Sequence, residues 1–400
     1  MYGPLRSAEP PGLFPRPRSA ARRAVTMVRS LEDSLAHMDP VRIALDVGPL
    51  YGHRTGIGAA VAELAAALDG HAGVEVAPYV LSFRSRPAPP VRRLPLPAAI
   101  AHRLWSVGDR PRVDRWVGPA DVVHGTNYVV PPTRHPAIAS VYDCWFLRHP
   151  GRASPDVRRA GEVLRRRVRA GATVHASSEA TAAAARELLG ATRVEVVHLG
   201  PLPVPDTPPA EPPAWAAGIG PFVLALGTVE RRKNLPALVA AFNAMGSHDG
   251  TGLVVAGAPG DDSATLDAAV AALPAAARGR VVRPGPVDDA TKSWLLHHAR
   301  VLAYPSLDEG FGFPILEAQT VRLPIVATSA GSIPEVAGGG AELVPPGDHD
   351  ALAGALLRVL TDDERRRQLV AAGVANVARF SWTATADAMV ELYRRVREDG

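Results

Sequence analysis

From Val41 onward, short apolar runs alternate with longer stretches of helical periodicity, and the runs end in glycine, proline or charged clusters. Four to seven consecutive apolar residues bounded by turn residues read as a strand buried on both faces. Val41–Val47, apolar apart from Arg42 and Asp46, is the first expected strand. Further strands are expected near 74–80, 121–124, 137–142, 172–176 and 193–198, with an alanine-rich helix ending near Leu68 and helices near 155–169 and 178–189. Residues 200–218 are dense in proline and poor in large apolar side chains, the composition of a linker. Alternation restarts at Phe222–Leu226, with strands near 252–256, 280–283, 300–304, 324–327 and 341–344, and the remainder is helical, finishing with Trp382–Arg397. Repeated β-α alternation predicts an α/β chain of two doubly wound, mainly parallel sheets covered on both faces. The boundaries expected are an extension at 1–40, a first Rossmann-like domain at 41–199, a linker at 200–218, a second domain at 219–380 and a closing helix at 381–400. Ligands of such sheets sit beyond the strand C-termini, so both domains can line one cleft.

Composition adjusts this picture in three places. A chain of 400 residues with 47% apolar content suits two full cores, and no apolar run approaches the ~18 residues of a membrane span. The single cysteine, Cys144, excludes a disulfide framework, fits a reducing, cytoplasmic compartment and reads as a small half-buried hydrophobe. Of the net charge of +4, residues 1–37 supply +3 through six arginines against three acids, leaving +1 for the rest. A nearly neutral body gives no electrostatic case for nucleic acid. Those first residues show neither hydrophobic periodicity nor the apolar centre of a signal peptide; the expectation is that translation starts at Met38 or Met27 and that what precedes is absent or disordered.

Only two of the 44 basic residues are lysine, Lys233 and Lys292. Where arginine is the default, a lysine marks a place for a compact ammonium. Lys292 has no motif around it and serves as a control.

The most informative segment is Glu309-Gly310-Phe311-Gly312-Phe313-Pro314-Ile315-Leu316-Glu317. It follows the apolar run Val301–Tyr304, and Pro314 suits the first position of a helix because its missing N–H would be unpaired there anyway. That reading puts Glu309 on the strand-to-helix loop and Glu317 in the first helical turn. A strand end, two glycines and a helix N-terminus make an anion site with two carboxylates available for hydroxyl groups, which is the chemistry of a sugar nucleotide. Glu317 also has a plain reading, stabilisation by the helix dipole. In the same sheet Phe222–Leu226 runs into Gly227-Thr228-Val229-Glu230-Arg231-Arg232-Lys233. Three consecutive cations there are placed to hold a diphosphate, Arg232 by a bidentate grip and Lys233 as a point charge.

Gly56-Ile57-Gly58 is half of a dinucleotide fingerprint, but Val61 stands where the third glycine belongs, so a nicotinamide dehydrogenase is a poor fit. His124 ends one strand, facing the proposed cleft, and Tyr142-Asp143 ends the next; a lone histidine is more often structural. No metal-binding cluster or nucleophile elbow is visible, so neither a metal nor serine hydrolase chemistry is expected. Residues 157–169 predict a helix with Val157, Ala160, Leu164 and Val168 on one face and Arg158, Arg159, Arg165, Arg166 and Arg169 largely elsewhere. This is a solvated surface or a contact for anionic lipid.

Together these residues resemble the retaining glycosyltransferases of family 4, with the GT-B fold. The likeness covers roughly residues 41–397 and is strongest in the second domain, through Gly227-Thr228 to Arg232-Lys233-Asn234, Pro305-Ser306 to Glu309-Gly310-Phe311-Gly312-Phe313-Pro314 and Glu317-Ala318, and Ser332-Ile333-Pro334-Glu335. The resemblance implies that Arg232 and Lys233 bind and stabilise the leaving diphosphate in place of a metal. It implies that Glu309 meets hydroxyls of the transferred sugar and Glu317 the ribose diol, with Gly227 and Thr228 in the phosphate loop. Backbone amides around Gly310, Phe311, Gly312 and Phe313 would meet sugar or phosphates. Pro284, Gly285 and Val287 would lie against the base, and Gly56 and Gly58 would let the first domain close on the phosphates. His124 would sit near the anomeric centre, and the final helix would cross back onto the first domain. Two positions depart from the family pattern: Tyr142 where many members have histidine, and Thr228 where many have arginine after the glycine.

The expected activity is transfer of a sugar, mannose or rhamnose favoured, from a GDP-, UDP- or dTDP-linked donor. The acceptor is a hydroxyl on a glycan, lipid-linked or small molecule; retention and metal independence come from the resemblance. No cofactor beyond this co-substrate, no nucleic acid, and peripheral contact with the inner membrane face complete the expectation. A catalytically idle GT-B binding module is the alternative. Replacing Glu309 or Lys233 with alanine is expected to lower turnover without unfolding the chain.

Overall fold

The computed structural model describes residues 39–51, 56–82, 85–209, 211–216, 218–246 and 248–400. The expectations about residues 1–38 lie outside them. Val41–Gly400 forms one compact unit built on two sheets.

The first sheet comprises β1 (Val41–Asp46), β2 (Val74–Val80), β3 (Arg92–Arg93), β4 (Val122–Gly125), β5 (Ala137–Val141), β6 (Thr173–Ala176) and β7 (Val194–Val196). They lie in the order β3-β2-β1-β4-β5-β6-β7, and every pairing is parallel. The second sheet comprises β8 (Phe222–Leu226), β9 (Gly252–Ala256), β10 (Val281–Gly285), β11 (Val301–Tyr304), β12 (Ile325–Thr328) and β13 (Glu342–Val344), in the order β10-β9-β8-β11-β12-β13, again parallel throughout. β4, β5, β8, β9, β11 and β12 are buried at every position. Such strands cannot alternate polar with apolar, which is why they stand out as continuous apolar runs. The strand order reverses at β1/β4 and at β8/β11, the switch points where sheets of this kind open a crevice for ligands.

Side chains start the covering helices. Ser154 caps Pro155–Arg169, Ser178 caps Glu179–Leu189 and Asp288 caps Asp289–His298, each accepting a backbone N–H of the first turn. The final helix, Trp382–Glu398, packs on the first sheet, where Met389, Val390, Tyr393 and Val396 share a core cluster with Ile43 and Leu45. A second cluster bridges the halves, with Ala60, Tyr142 and Leu199 packed among Phe311, Ile315 and Phe380. This is the GT-B architecture: two parallel-sheet α/β domains with their strand C-termini turned toward a shared cleft.

Candidate active site

The loops after β8 and β11 leave neighbouring strands at the switch point of the second sheet, which brings residues 76 and 77 positions apart into contact. Lys233 Nζ donates to Glu309 Oε1 at 2.6 Å and to the Tyr304 hydroxyl at 2.8 Å. Arg232 Nη1 donates to Glu309 Oε2 at 2.7 Å, and its Nε meets Glu230 at 2.8 Å. Ser306 Oγ donates to Glu309 Oε1 at 2.7 Å. Glu309 and Lys233 are only 5% and 8% exposed. Burial alone raises the Glu309 carboxyl, but Lys233 and Arg232 outweigh it and hold the pKa at about 2. For Lys233 burial prevails over the neighbouring carboxylates and lowers its pKa.

Donor and acceptor counts show what this knot has left to offer. An ammonium has three donors, of which Lys233 uses two; a carboxylate has about four lone-pair sites, of which Glu309 uses three. Each group therefore retains one place for a further partner, and the guanidinium retains more.

The second glutamate behaves differently from the expectation. The helix runs Phe313–Thr320, one residue earlier than Pro314 suggests, with Gly312 in a left-handed conformation (φ +98°) at its N-cap. Glu317 consequently lies beyond the first turn, and the dipole reading of it falls away. Its Oε1 accepts from Lys292 Nζ at 2.7 Å, and Glu317 is 3% exposed. Lys292 is thus no control: each of the chain's two lysines holds one of the two glutamates.

Between Glu309 and that helix, the chain meets the first domain. The Gly310 carbonyl accepts from Ser178 Oγ at 2.7 Å, and from Ser177 Oγ and Thr181 Oγ1 at 3.1 Å each. A Cβ at Gly310 would lie 1.4 Å from the Tyr142 carbonyl oxygen, so only glycine permits this approach. Nearby, Glu335 accepts from the Glu179 backbone N–H at 3.0 Å and from His198 Nε2 at 2.6 Å. A carboxylate of the second domain thereby sits at the N-terminus of a first-domain helix, where the dipole favours it. Ser332 completes the loop by donating to the Phe311 carbonyl at 3.0 Å.

His124 is a correction. It is fully buried; its Nδ1 lies 2.8 Å from the Tyr393 hydroxyl and its Nε2 2.8 Å from Ser140 Oγ. Burial, with His175 nearby, pulls its pKa well below the usual histidine value. Both nitrogens are engaged within the protein, and the ring fastens the final helix to the first sheet instead of reaching a substrate. Phe311 is likewise a core residue, its ring 5.2 Å from Phe313 and 6.0 Å from Phe380. Gly56 begins the helix Gly56–Leu68, and Gly58 lies buried within its first turn. Gly227 has a φ of +131° and faces the Lys233 side chain; Thr228 follows it in the same loop. Pro284 and Gly285 end β10, with Gly285 accepting from Gly257 N–H at 2.8 Å, and Val287 is packed against the second-domain core.

The arginine helix is more self-contained than its sequence suggests. Arg159 pairs with Asp156, Arg165 with Glu162, and Arg166 and Arg167 with Asp109, while Arg158 donates to the Ala153 carbonyl. Sequence reasoning missed Tyr304, Ser306, Lys292 and the Ser177-Ser178-Thr181 trio. The rarity of lysine was the available signal for Lys292, and Ser306 stood inside the motif that carries the resemblance, though with no role given to it; the Ser177-Ser178-Thr181 hydroxyls carried no signal. Among the described residues no helix is long and apolar enough to cross a membrane, and no group of three or more His, Cys, Asp or Glu could hold a metal ion.

Residues 216–375 match the family described as Glycosyl transferases group 1. The O-antigen chain mannosyltransferase B of Escherichia coli is 33% identical over 175 residues, covering 43% of this chain and 45% of that protein. The phosphatidyl-myo-inositol mannosyltransferase of Mycobacterium leprae is 36% identical over 119 residues, covering 29% and 32%. The chain thus spans less than half the length of these curated relatives. Among solved structures, sucrose-phosphate synthase from Thermosynechococcus elongatus superposes with a TM-score of 0.69 at 21% identity, covering 90% of this chain and all of that one. The Anabaena protein HepE in complex with UDP and glucose gives 0.65 at 16% identity, covering 89% and 100%. At these identities the structures establish the fold.

Proposed function

We propose, from the premise that the segment 216–375 belongs to the group 1 glycosyltransferases, that this chain moves a sugar from a nucleoside-diphosphate donor to a hydroxyl acceptor with retention. The observation that carries the reading is the convergence of Lys233 and Arg232 on Glu309 at the switch point of the second sheet. In the transfer, the bond from the anomeric carbon to the phosphate oxygen breaks and leaves its electron pair on the diphosphate. The acceptor oxygen bonds to that carbon and its proton departs to the diphosphate. The remaining donors of Lys233 and Arg232 stabilise the charge that develops on the leaving group, a task that other transferases give to a metal. Glu309 keeps both cations oriented and offers its last acceptor site to a sugar hydroxyl. Glu317, steadied by Lys292, takes the ribose diol, and the loop 284–287 takes the base. Gly56 and Gly58 allow the first domain to approach the phosphates. Mannose or rhamnose is the favoured sugar, in surface polysaccharide or glycoconjugate synthesis; two mannosyltransferase relatives support this choice.

Calorimetry against GDP-, UDP- and dTDP-sugars, followed by transfer assays with the anomeric product read by NMR, tests the reading. Micromolar binding of one donor class and an axial-to-axial or equatorial-to-equatorial outcome are expected. Absence of binding for every nucleoside diphosphate would sink it.

A peripheral lipid contact belongs to the same proposal. On the helix Ala98–Val107, which packs against Pro155–Arg169, Ile100, Leu104 and Val107 are exposed at 52%, 42% and 76% beside Arg103 and the arginines of its neighbour. Apolar side chains flanked by cations suit an anionic bilayer surface. Charge reversal of Arg158, Arg165 and Arg166 is expected to abolish sedimentation with phosphatidylglycerol vesicles; unchanged sedimentation removes the idea.

A further inference from the structure

At the opposite edge of its sheet from the cleft, the second domain carries an open groove of about 810 Å³ between the entries to β11 and β12 and the helix Asp363–Val377. That volume falls within the roughly 300–1,000 Å³ of ligand pockets. β11, four residues long, sets ~13 Å of strand between this groove and the loop that carries Glu309. The groove is therefore separate from the candidate active site.

Four arginines line it, Arg300, Arg322, Arg366 and Arg367, and Leu360, Val370 and Val374 supply apolar walls. The arginines are of two kinds. Arg366 donates to the Val359 and Leu360 carbonyls at 3.4 and 3.1 Å and pairs with Asp363, and Arg367 pairs with Glu364 at 2.6 Å. Those two charges are answered on their own helix. Arg300 and Arg322 stand at the entries to two adjacent strands. Among the described residues neither of their guanidinium groups has a hydrogen-bond or ion-pair partner.

The backbone singles out Arg322. The helix Phe313–Thr320 closes with Leu323 N–H donating to the Ala318 carbonyl at 2.8 Å and Arg322 N–H to that of Gln319 at 3.2 Å. This pair of bonds puts Arg322 at the left-handed position after a helix, where glycine is the usual occupant because it has no Cβ to clash. The helix Glu179–Leu189 ends in that way on Gly190, at φ +65°. Arg322 holds φ +61°. A turn that merely faced water would be more stable with glycine, so the arginine stands there at a cost to the fold, as residues do at sites with a task.

We propose that this groove binds a phosphate monoester with an apolar organic part, the phosphate held by Arg300 and Arg322 and the organic part lying against Leu360, Val370 and Val374. Two guanidinium groups without partners call for a dianion. A phosphate monoester carries about 1.5 to 2 negative charges at neutral pH, more than a carboxylate can, and the guanidinium fork meets phosphate oxygens in pairs. The site does not depend on the transferase reading, since it shares no residue with the cleft.

The test uses the full chain and its Arg300→Gln and Arg322→Gly variants, with calorimetry of hexyl phosphate, inorganic phosphate and hexanoate. Hexyl phosphate is expected to bind the wild type more tightly than either of the others and to weaken roughly tenfold or more in each variant. Arg322→Gly relieves the strained turn, so its melting temperature is expected to equal or exceed that of the wild type while binding is lost. Sedimentation with phosphatidylcholine vesicles, with and without phosphatidic acid, separates two sources of the same chemistry. Beside hexyl phosphate binding, sedimentation that needs phosphatidic acid and that both variants lose assigns the phosphate to a lipid headgroup. Sedimentation alike in all three proteins assigns it to a free phosphate monoester. Hexyl phosphate binding absent from the wild type, equal in all three proteins, or matched by hexanoate would overturn the proposal. A melting temperature of Arg322→Gly below that of the wild type would overturn it too.

Discussion

Glu309 does its work chiefly on its neighbours. With three of its acceptor sites taken by Lys233, Arg232 and Ser306, it fixes two cations in a water-poor place and leaves one site open. This changes the outcome expected for substitutions. Removing one member of a buried ion pair costs about 3–5 kcal/mol because the other charge remains buried alone. Glu309→Gln is therefore expected to lower stability in urea by about that amount at pH 7 as well as to depress turnover, in place of the activity loss without unfolding that sequence alone predicts. The pH dependence has a defined sign. Glu309 titrates near 2 in the folded chain against 4.5 ordinarily, so its contribution is present above 4.5 and is lost as pH falls from 4.5 toward 2. Urea denaturation of wild type and Glu309→Gln between pH 3 and 7 should give curves that converge on the acid side; parallel curves would contradict the pairing. The type and place of Lys233, Arg232 and Glu309 were legible in sequence because a strand-loop-helix pattern frames each. Their mutual bonds were not, because nothing local encodes a contact between positions 76 apart.

At the level of strands and helices, legibility followed burial. The doubly covered strands β8, β9 and β11 are unbroken apolar runs, and their expected spans differ from the observed ones by at most one residue. The helix at Phe313 was misplaced by one position because Gly312, left-handed at the cap, lets Phe313 enter the helix ahead of the proline. That single residue removed Glu317 from the first turn. His124 was misjudged for a related reason: a strand end seen in sequence does not reveal that Tyr393, 269 positions later, will arrive beside it. The segment from Ser177 to Thr181 shows the reverse economy. Ser178 caps its own helix by accepting from Thr181 N–H and uses its hydroxyl hydrogen on the Gly310 carbonyl of the other domain. Gly310→Ala places a methyl group against the Tyr142 carbonyl and is expected to part the domains. Small-angle scattering should report a larger radius of gyration for this variant with its helical circular dichroism retained; an unchanged radius would refute the close approach.

Across the molecule, two sheets with the same reversal of strand order face one another, and the final helix returns to clamp the first. The two-domain α/β plan was readable from the restart of alternation at Phe222, since each sheet needs its own run of apolar strands. The grip between the domains was not: Gly310 and Glu335 stand in motifs visible in the sequence, but their partners Ser177, Ser178, Thr181 and Glu179 lie 129 or more positions away, and nothing local encodes those contacts. That grip bears on affinity. Lys233, Glu309 and Glu317 are all under a tenth exposed, and the hydroxyls of Ser177, Ser178 and Thr181 hold the loop between the two glutamates. Under the proposed function, a donor's measured affinity would be its intrinsic affinity diminished by the fraction of time in which these contacts are open. Part of that grip is electrostatic, because the Glu335 carboxylate of the second domain sits at the N-terminus of a first-domain helix.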